Sequence, residues 1–184
     1  NEGVEKLYRN QQVPLLEELY RMEYRGQLID VDLLKQDEKK LSIRISELLE
    51  KLKKLAKDNT FNPNSSEQVA NLLESRNYPF EKVKAKKGAK GWSTGEKVLK
   101  AFCQYKKWEK ILNMILEYRG LTKLKNTYIW NGKDGEKASG IYQYLTDENK
   151  IHPSFSAFIP VTGRLSSSNP NSQNFASPKW NVNI

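Results

Sequence analysis

The residues 162–174, Thr-Gly-Arg-Leu-Ser-Ser-Ser-Asn-Pro-Asn-Ser-Gln-Asn, form the segment richest in possible chemistry. One guanidinium, Arg164, is followed by three hydroxyls and then by Asn, Asn, Gln and Asn side chains around Pro170. Such groups offer many hydrogen-bond donors and acceptors but, apart from Arg164, no charge. They suit contact with phosphate oxygens, sugars and base edges. They do not suit nucleophilic catalysis, because no general base stands near the hydroxyls. On composition alone, a turn-rich surface loop accounts for the same residues.

A second concentration is electrostatic. Residues 82–110 hold ten lysines, opposed only by Glu96 and Glu109, a local net of +8. The whole chain of 184 residues carries +9, so nearly all the excess lies in that stretch. A field of this sign favours a polyanion, most simply a nucleic acid backbone, although a solvated lysine-rich surface explains it equally well. Other chemistries are narrowed by scarcity. One cysteine, Cys103, and one histidine, His152, leave no disulfide framework, no cysteine zinc site and no His-rich metal centre. Asp147-Glu148 could be a metal pair, but a solvated turn is the simpler reading. His152 either touches a phosphate or has a structural place in a strand, and the second is favoured. A nuclease or primase lacks the clustered carboxylates it would need.

The positioning elements follow from periodicity. Pro14 suits a first helical turn and Gly26 a helix end, so a helix is expected over about 14–24, with Leu15, Leu16, Leu19 and Met22 at helical spacing. Asp30 reads as an N-cap for a long helix over 31–57. In it Leu41, Ile45, Leu48, Leu52 and Leu55 form one narrow apolar stripe, which requires a long partner helix. At 1.5 Å per residue it reaches about 40 Å. A turn over 59–66 precedes a short helix over 67–75, followed by the lysine-rich loop. Ser93 and Glu96 have the spacing of a capping box opening a further helix. Over 105–128 a second long helix presents Trp108, Ile111, Leu112, Ile115, Leu116, Leu121 and Leu124, the natural antiparallel partner of the first. Trp108 and the nearby tyrosines read as core, and Cys103 as a small buried side chain. Trp92 either packs the loop or lies exposed against a ligand. After Trp130, Asn-Gly and Asp-Gly dipeptides mark turns. Ile141 to Leu145 and 151–159 are expected as short strands around a polar turn. The fold class is therefore mainly α: two long antiparallel helices with a small helical tip, followed by a short β-containing segment. With mean hydropathy −0.76 and no apolar run near ~20 residues, no membrane-spanning helix is expected. The polar start carries no evident signal peptide, and a first residue other than Met points to a processed or trimmed chain.

The segment 162–174 closely resembles the motif T-G-R-L-S-S-x-x-P-N-L-Q-N that begins the palm of family A DNA polymerases. It departs from that pattern at Ser172, where Leu is usual, and at Phe175-Ala176, where Ile-Pro is usual. Five upstream segments also resemble the family, in the same order. They are PLLEELYRMEYRGQLID from Pro14, FNPNSSEQVANLL from Phe61, KKGAKGWSTGEKVL from Lys86, ILEYRGLTKLKNTY from Ile115 and KIHPSF from Lys150. Together they cover nearly the whole chain.

The resemblance implies an N-terminal helix at the thumb base (1–29), a helical thumb (30–129) with a basic tip near 77–100, and the start of the palm (130–184). It implies a grip on primer–template duplex. The tip would touch phosphates with Ser93 and Thr94, beside Lys86, Lys87 and Lys90; a helix N-terminus with a hydroxyl cap is a natural anion site. Lys123, Lys125, Asn126, Thr127 and Tyr128 would contact the backbone. The palm-entry motif would contribute Arg164, Ser166, Ser167, Asn171, Gln173 and Asn174, with Arg164 in the minor groove, where acceptors differ little between base pairs. Magnesium is expected for the complete polymerase, held by palm carboxylates. Residues 149–184 contain no Asp or Glu, so this chain is expected to hold no metal and no catalytic residue, and to be inactive alone. The implied partners are primer–template DNA and a separate palm and fingers polypeptide, in the cytoplasm of a bacterial or phage-infected cell, as a fragment or a split-gene subunit. The competing expectation is a helical protein–protein interaction module, with its apolar stripe left open for a partner and no DNA binding.

Overall fold

The computed structural model describes residues 2–80, 86–88, 91–129, 140–157 and 164–174, the side chain of Asn174 excepted. The chain divides into two compact units, Lys39–Lys125 and the pair of segments Asn1–Glu38 with Asn126–Ile184.

The core of the Lys39–Lys125 unit is the apolar stripe. Helix α3 (Val31–Ala56) starts where the Asp30 carboxylate accepts from the Leu33 N–H at 2.9 Å, and most of its length lies in this unit. Leu41, Leu48 and Leu52 are only 2, 1 and 0% exposed. Three members of the stripe that an interaction module would leave open are thus covered by the chain itself, while Leu55 at its end is 39% exposed. Helix α6 (Lys106–Leu124) runs antiparallel to α3 and buries Ile111, Leu112, Ile115, Tyr118 and Leu121. Two polar links fix the register: Arg44 Nε donates to Glu117 at 2.7 Å, and Lys125 Nζ donates to Ser42 Oγ at 2.8 Å.

Between the long helices lie α4 (Ser66–Glu74), a hairpin of β2 (Lys87–Gly88) and β3 (Gly91–Trp92), and α5 (Glu96–Phe102). Asn62 and Ser65 explain the turn into α4: the Asn62 side chain accepts from the Asn64 N–H, and the Ser65 hydroxyl from the Gln68 N–H. This satisfies a helix-start donor that would otherwise be unpaired. The capping box expected at Ser93 and Glu96 does not form. Gly95 is the N-cap of α5, with no side-chain cap, and Glu96 instead pairs with Lys100 one turn along.

In the other unit, α1 (Glu2–Leu7) continues through a π-helical turn (Tyr8–Gln12) into α2 (Val13–Arg25). Of the apolar spacing noted in α2, Leu19 is buried, while Leu16 and Met22 are 40 and 43% exposed. Gly26 ends α2 at φ +66°, and a Cβ there would stand 2.6 Å from His152 Cε1. Glycine is therefore required twice over, by the backbone and by the approach of the imidazole. His152 Nδ1 lies 2.7 Å from the Glu23 carbonyl, and the Glu23 carboxylate accepts from the Phe155 N–H. His152 is thus a structural clasp between α2 and the strands. Strand β1 (Gln27–Leu28) pairs antiparallel with β4 (Lys150–Ile151), and β5 (Ser154–Ser156) with β6 (Ser166–Ser168). The expected strand at Ile141 to Leu145 is instead a 3-10 turn over Tyr142–Tyr144: no strand among the described residues pairs there, and Leu145 N–H closes onto the Tyr142 carbonyl. The Asn-Gly and Asp-Gly turns fall outside the described residues. Among those described, no helix is long and apolar enough to cross a membrane.

Candidate nucleic-acid interface

The tip of the Lys39–Lys125 unit is built on a relay of rings. Trp92 stacks on Phe80 at 5.1 Å, and Phe80 meets Phe102 edge-on at 5.3 Å. Phe102 meets Tyr78 edge-on at 5.4 Å, and Tyr78 packs on Trp108 at 4.3 Å. Stacked and edge-to-face pairs at these separations are favourable beyond their buried area. The relay ties the hairpin to α5 and α6. It resolves the two readings of Trp92: the indole packs the tip. Lys87 lies over its ring at 5.4 Å, and Lys86, Lys87 and Ser93 are exposed. Lys90 falls outside the described residues.

Thr94 departs from the expected role. It is 1% exposed, and its hydroxyl faces Ser66 and Arg119 rather than solvent. Arg119 is the organising group. Its Nε donates to the Pro63 carbonyl at 2.7 Å, Nη1 to the Thr94 carbonyl and Nη2 to Thr94 Oγ1 at 3.3 Å. One planar fork therefore fastens both the turn before α4 and the turn before α5 onto α6. Burial pushes the Arg119 pKa down from its ordinary value, yet a guanidinium stays charged. Of the Ser-Thr pair, only Ser93 turns its side chain outward, on a turn that Thr94 and Arg119 hold from within. Sequence reasoning gave Arg119 no role. The signal was there: Arg119 follows Leu112 and Ile115 by seven and four residues, on a buried face where a charge requires partners.

At the end of α6, Lys123 is exposed and Lys125 half-buried against Ser42. Asn126, Thr127 and Tyr128 lie in a π-helical turn (Lys125–Ile129); the first two are exposed, and the Tyr128 carbonyl accepts from Ile141. Cys103 is half-buried, its sulfur 3.4 Å from the Leu99 carbonyl and from Asn113 Oδ1, and burial pushes the thiol up.

The motif loop in the other unit is held by small polar groups. Ser167 is 7% exposed and central. Its hydroxyl lies 3.2 Å from Asn171 Oδ1 and 3.1 Å from Ser172 Oγ, and accepts from the Gln173 N–H at 3.4 Å. Gln173 Nε2 donates to the Leu165 carbonyl at 2.8 Å, and Ser166 Oγ donates to the Ser156 carbonyl. Ser167 is therefore turned inward and cannot also face a ligand with its hydroxyl. Arg164 is exposed. Ser172, the departure from the family pattern, supplies one of the three partners around Ser167. Asn174 closes the short turn Ser172–Asn174. Among the described residues, no group of three or more His, Cys, Asp or Glu could hold a metal ion.

A family model described as DNA polymerase family A matches residues 31–182. The chain belongs to that family. It is 34% identical to DNA polymerase I of Bacillus subtilis (strain 168) over 93% of its own length and 19% of the relative's. With DNA polymerase I of Caldicellulosiruptor bescii it shares 35% identity over 91% of the chain and 18% of the relative. The chain thus spans under a fifth of these curated family members. A solved structure, the POL domain of Pol1 from M. smegmatis in complex with DNA primer-template and dNTP, superposes with a TM-score of 0.71 at 26% identity. That match covers 94% of this chain and 28% of that one. The mainly helical architecture is accordingly that of a family A polymerase region.

Proposed function

We propose that this chain supplies the duplex grip of a family A DNA polymerase: a thumb, with the entry to the palm, that holds primer–template DNA during replication or repair. The observation carrying this reading is the Arg119-fastened turn that leaves Ser93, Lys86 and Lys87 facing solvent on a family A chain. A rigid, hydroxylated and cationic surface of this kind suits a phosphate backbone without reading sequence. Lys123, Asn126 and Thr127 add exposed donors in the segment similar to the family's backbone-contacting stretch. Exposed Arg164, on a loop closed by its own hydrogen bonds, is suited to a place in the groove near the primer terminus.

Family A polymerases use magnesium. The donors present here do not fit such a site, since residues 149–184 carry no carboxylate and no suitable cluster occurs among the described residues. No metal-dependent step is therefore derived from these residues, and the catalytic carboxylates and nucleotide-binding fingers are assigned to polymerase sequence other than residues 1–184, whether on the same polypeptide or on a separate one. The setting is the cytoplasm of a bacterial or phage-infected cell.

Fluorescence anisotropy of labelled primer–template duplex over a salt series tests the grip. Duplex is expected to bind more tightly than single strand of equal length. The Lys86→Ala/Lys87→Ala variant is expected to weaken binding and to shrink the salt slope by about 0.9 for each phosphate that is no longer neutralised. An unchanged slope, or no duplex affinity at low salt, would sink the reading.

A further inference from the structure

A second feature of the Lys39–Lys125 unit lies away from the hairpin. The ends of α3 and α6 nearest the tip enclose an open cleft of about 550 Å³. Its floor is apolar, formed by Leu55, Trp108, Ile111 and Met114. Its rim is cationic, formed by Lys51, Lys54, Arg76, Lys107 and Lys110, and among the described residues no carboxylate lines it. Along α3 the nearest acids are engaged elsewhere, Glu50 with Lys53 and Glu47 with Arg44, while on α6 Glu109 is exposed next to Lys110 in sequence. Two of the rim cations are partly occupied. Arg76 donates through Nη2 to the Leu55 carbonyl, and Lys107 lies 4.4 Å over the Trp108 ring. Lys51, Lys54 and Lys110 form no ion pair among the described residues.

Five cations around an apolar floor select an anion that also carries an apolar group. Nucleic acid and an acidic peptide both qualify in charge, and the floor separates them. Unpaired bases bind by stacking on an open aromatic face. The Trp108 ring is already engaged, with Tyr78 packed on it at 4.3 Å and Lys107 over it at 4.4 Å. What remains accessible is aliphatic: Leu55, 39% exposed, with the partly exposed Met114. A methionine-bearing apolar floor adapts to a range of side-chain shapes. We infer that this cleft docks a short acidic segment of a partner protein, its carboxylates on Lys51, Lys54 and Lys110 and one bulky aliphatic or aromatic side chain on Leu55 and Met114. This inference does not rest on the duplex grip, which uses other residues.

The test uses this chain and a fluorescein-labelled aspartate-rich peptide with one central leucine. A peptide of equal charge without the leucine and a single-stranded oligonucleotide serve as comparisons. The leucine peptide is expected to bind, and deleting its leucine to weaken binding about tenfold, the scale of one buried aliphatic side chain. The Lys51→Glu/Lys54→Glu/Lys110→Glu variant, altered only at solvent-exposed side chains, is expected to lose the peptide while keeping the circular dichroism of the parent. Lys86→Ala/Lys87→Ala is expected to keep it, so a failure of the duplex reading and a failure of this one look different. The Trp108 indole N–H resonance is expected to shift on peptide addition. Equal affinity for the two peptides would reduce the cleft to unspecific charge and overturn the proposal. So would absence of peptide binding, or an oligonucleotide that binds more tightly than the peptide and loses its site in the triple variant.

Discussion

The hairpin tip and the Arg164–Asn174 loop both present polar groups to solvent, but opposite materials hold them in place. The tip rests on five aromatic rings in sequence and one half-buried guanidinium. The loop rests on a small network of hydroxyl and amide groups around Ser167, with no ring pair and no buried charge among the described residues. Aromatic packing and a half-buried charge held by three hydrogen bonds resist displacement as a unit, whereas each small polar bond adds about 1 kcal/mol. A rigid tip and a more easily remodelled loop are therefore expected. Phe102→Ala is the harshest test, since Phe102 is 0% exposed and touches both Tyr78 and Phe80. A loss of about 4 kcal/mol is expected in urea unfolding. A loss under 1 kcal/mol would show that the ring relay does not carry the tip.

Arg119→Met comes next. It leaves the Pro63 carbonyl and both Thr94 oxygens without their donor, at a cost of about 3 kcal/mol. Arg119→Lys should recover only a fraction, because an ammonium cannot reach two turns with a planar fork. The distinctive readout is binding: duplex affinity should fall in Arg119→Met although Arg119 itself is placed against no DNA. Unchanged affinity in a folded variant would show that the turn carrying Ser93 needs no such fastening.

Ser167→Ala probes the other side of the comparison. It removes the shared partner of Asn171, Ser172 and the Gln173 N–H, and about 1.5 kcal/mol should be lost on thermal unfolding. The loss should be smaller in a Ser167→Ala/Ser172→Leu double variant than additivity gives, because Ser172 loses its reason to be polar once Ser167 is gone. Full additivity would deny that the two hydroxyls act together.

The two regions also differ in how far they could be read from sequence. The stripe Leu41, Leu48, Leu52 and its partner helix were legible because a period of three and four residues maps directly onto one face of a helix. Asp30 as a cap was legible for the same reason: its partner is three residues away. Arg119 was not, because its acceptors at Pro63 and Thr94 are distant in sequence and both are backbone or hydroxyl oxygens that no pattern marks. Thr94 illustrates the same gap. A Ser-Thr pair looks like two exposed hydroxyls until a half-buried arginine takes one of them. At Ser93 and Glu96 the local signature of a capping box lost to a lysine one turn on and a glycine able to serve as the cap. The loop around Ser167 was legible in composition but not in direction, since donors and acceptors that suit a ligand also suit one another.

The smallest effect expected is also the one with the least obvious sign. Tyr78 links Phe102 to Trp108 in the ring relay and is 6% exposed, yet its hydroxyl is buried with no hydrogen-bond partner among the described residues. An unsatisfied buried hydroxyl destabilises, and removing it while keeping the ring leaves the packing on Phe102 and Trp108 in place. Tyr78→Phe should therefore be neutral or stabilising by up to about 1 kcal/mol, where most core substitutions destabilise. Burial also pushes the Tyr78 phenol above its ordinary value of 10.0. The folded state then keeps its proton where the unfolded chain begins to lose it, so stability should fall as pH rises past about 10. Tyr78→Phe should flatten that alkaline decline while leaving neutral pH little changed. A variant that lost stability at pH 7, with the alkaline slope intact, would mean that the hydroxyl has a partner in solution and that the relay carries a polar link between Phe102 and Trp108.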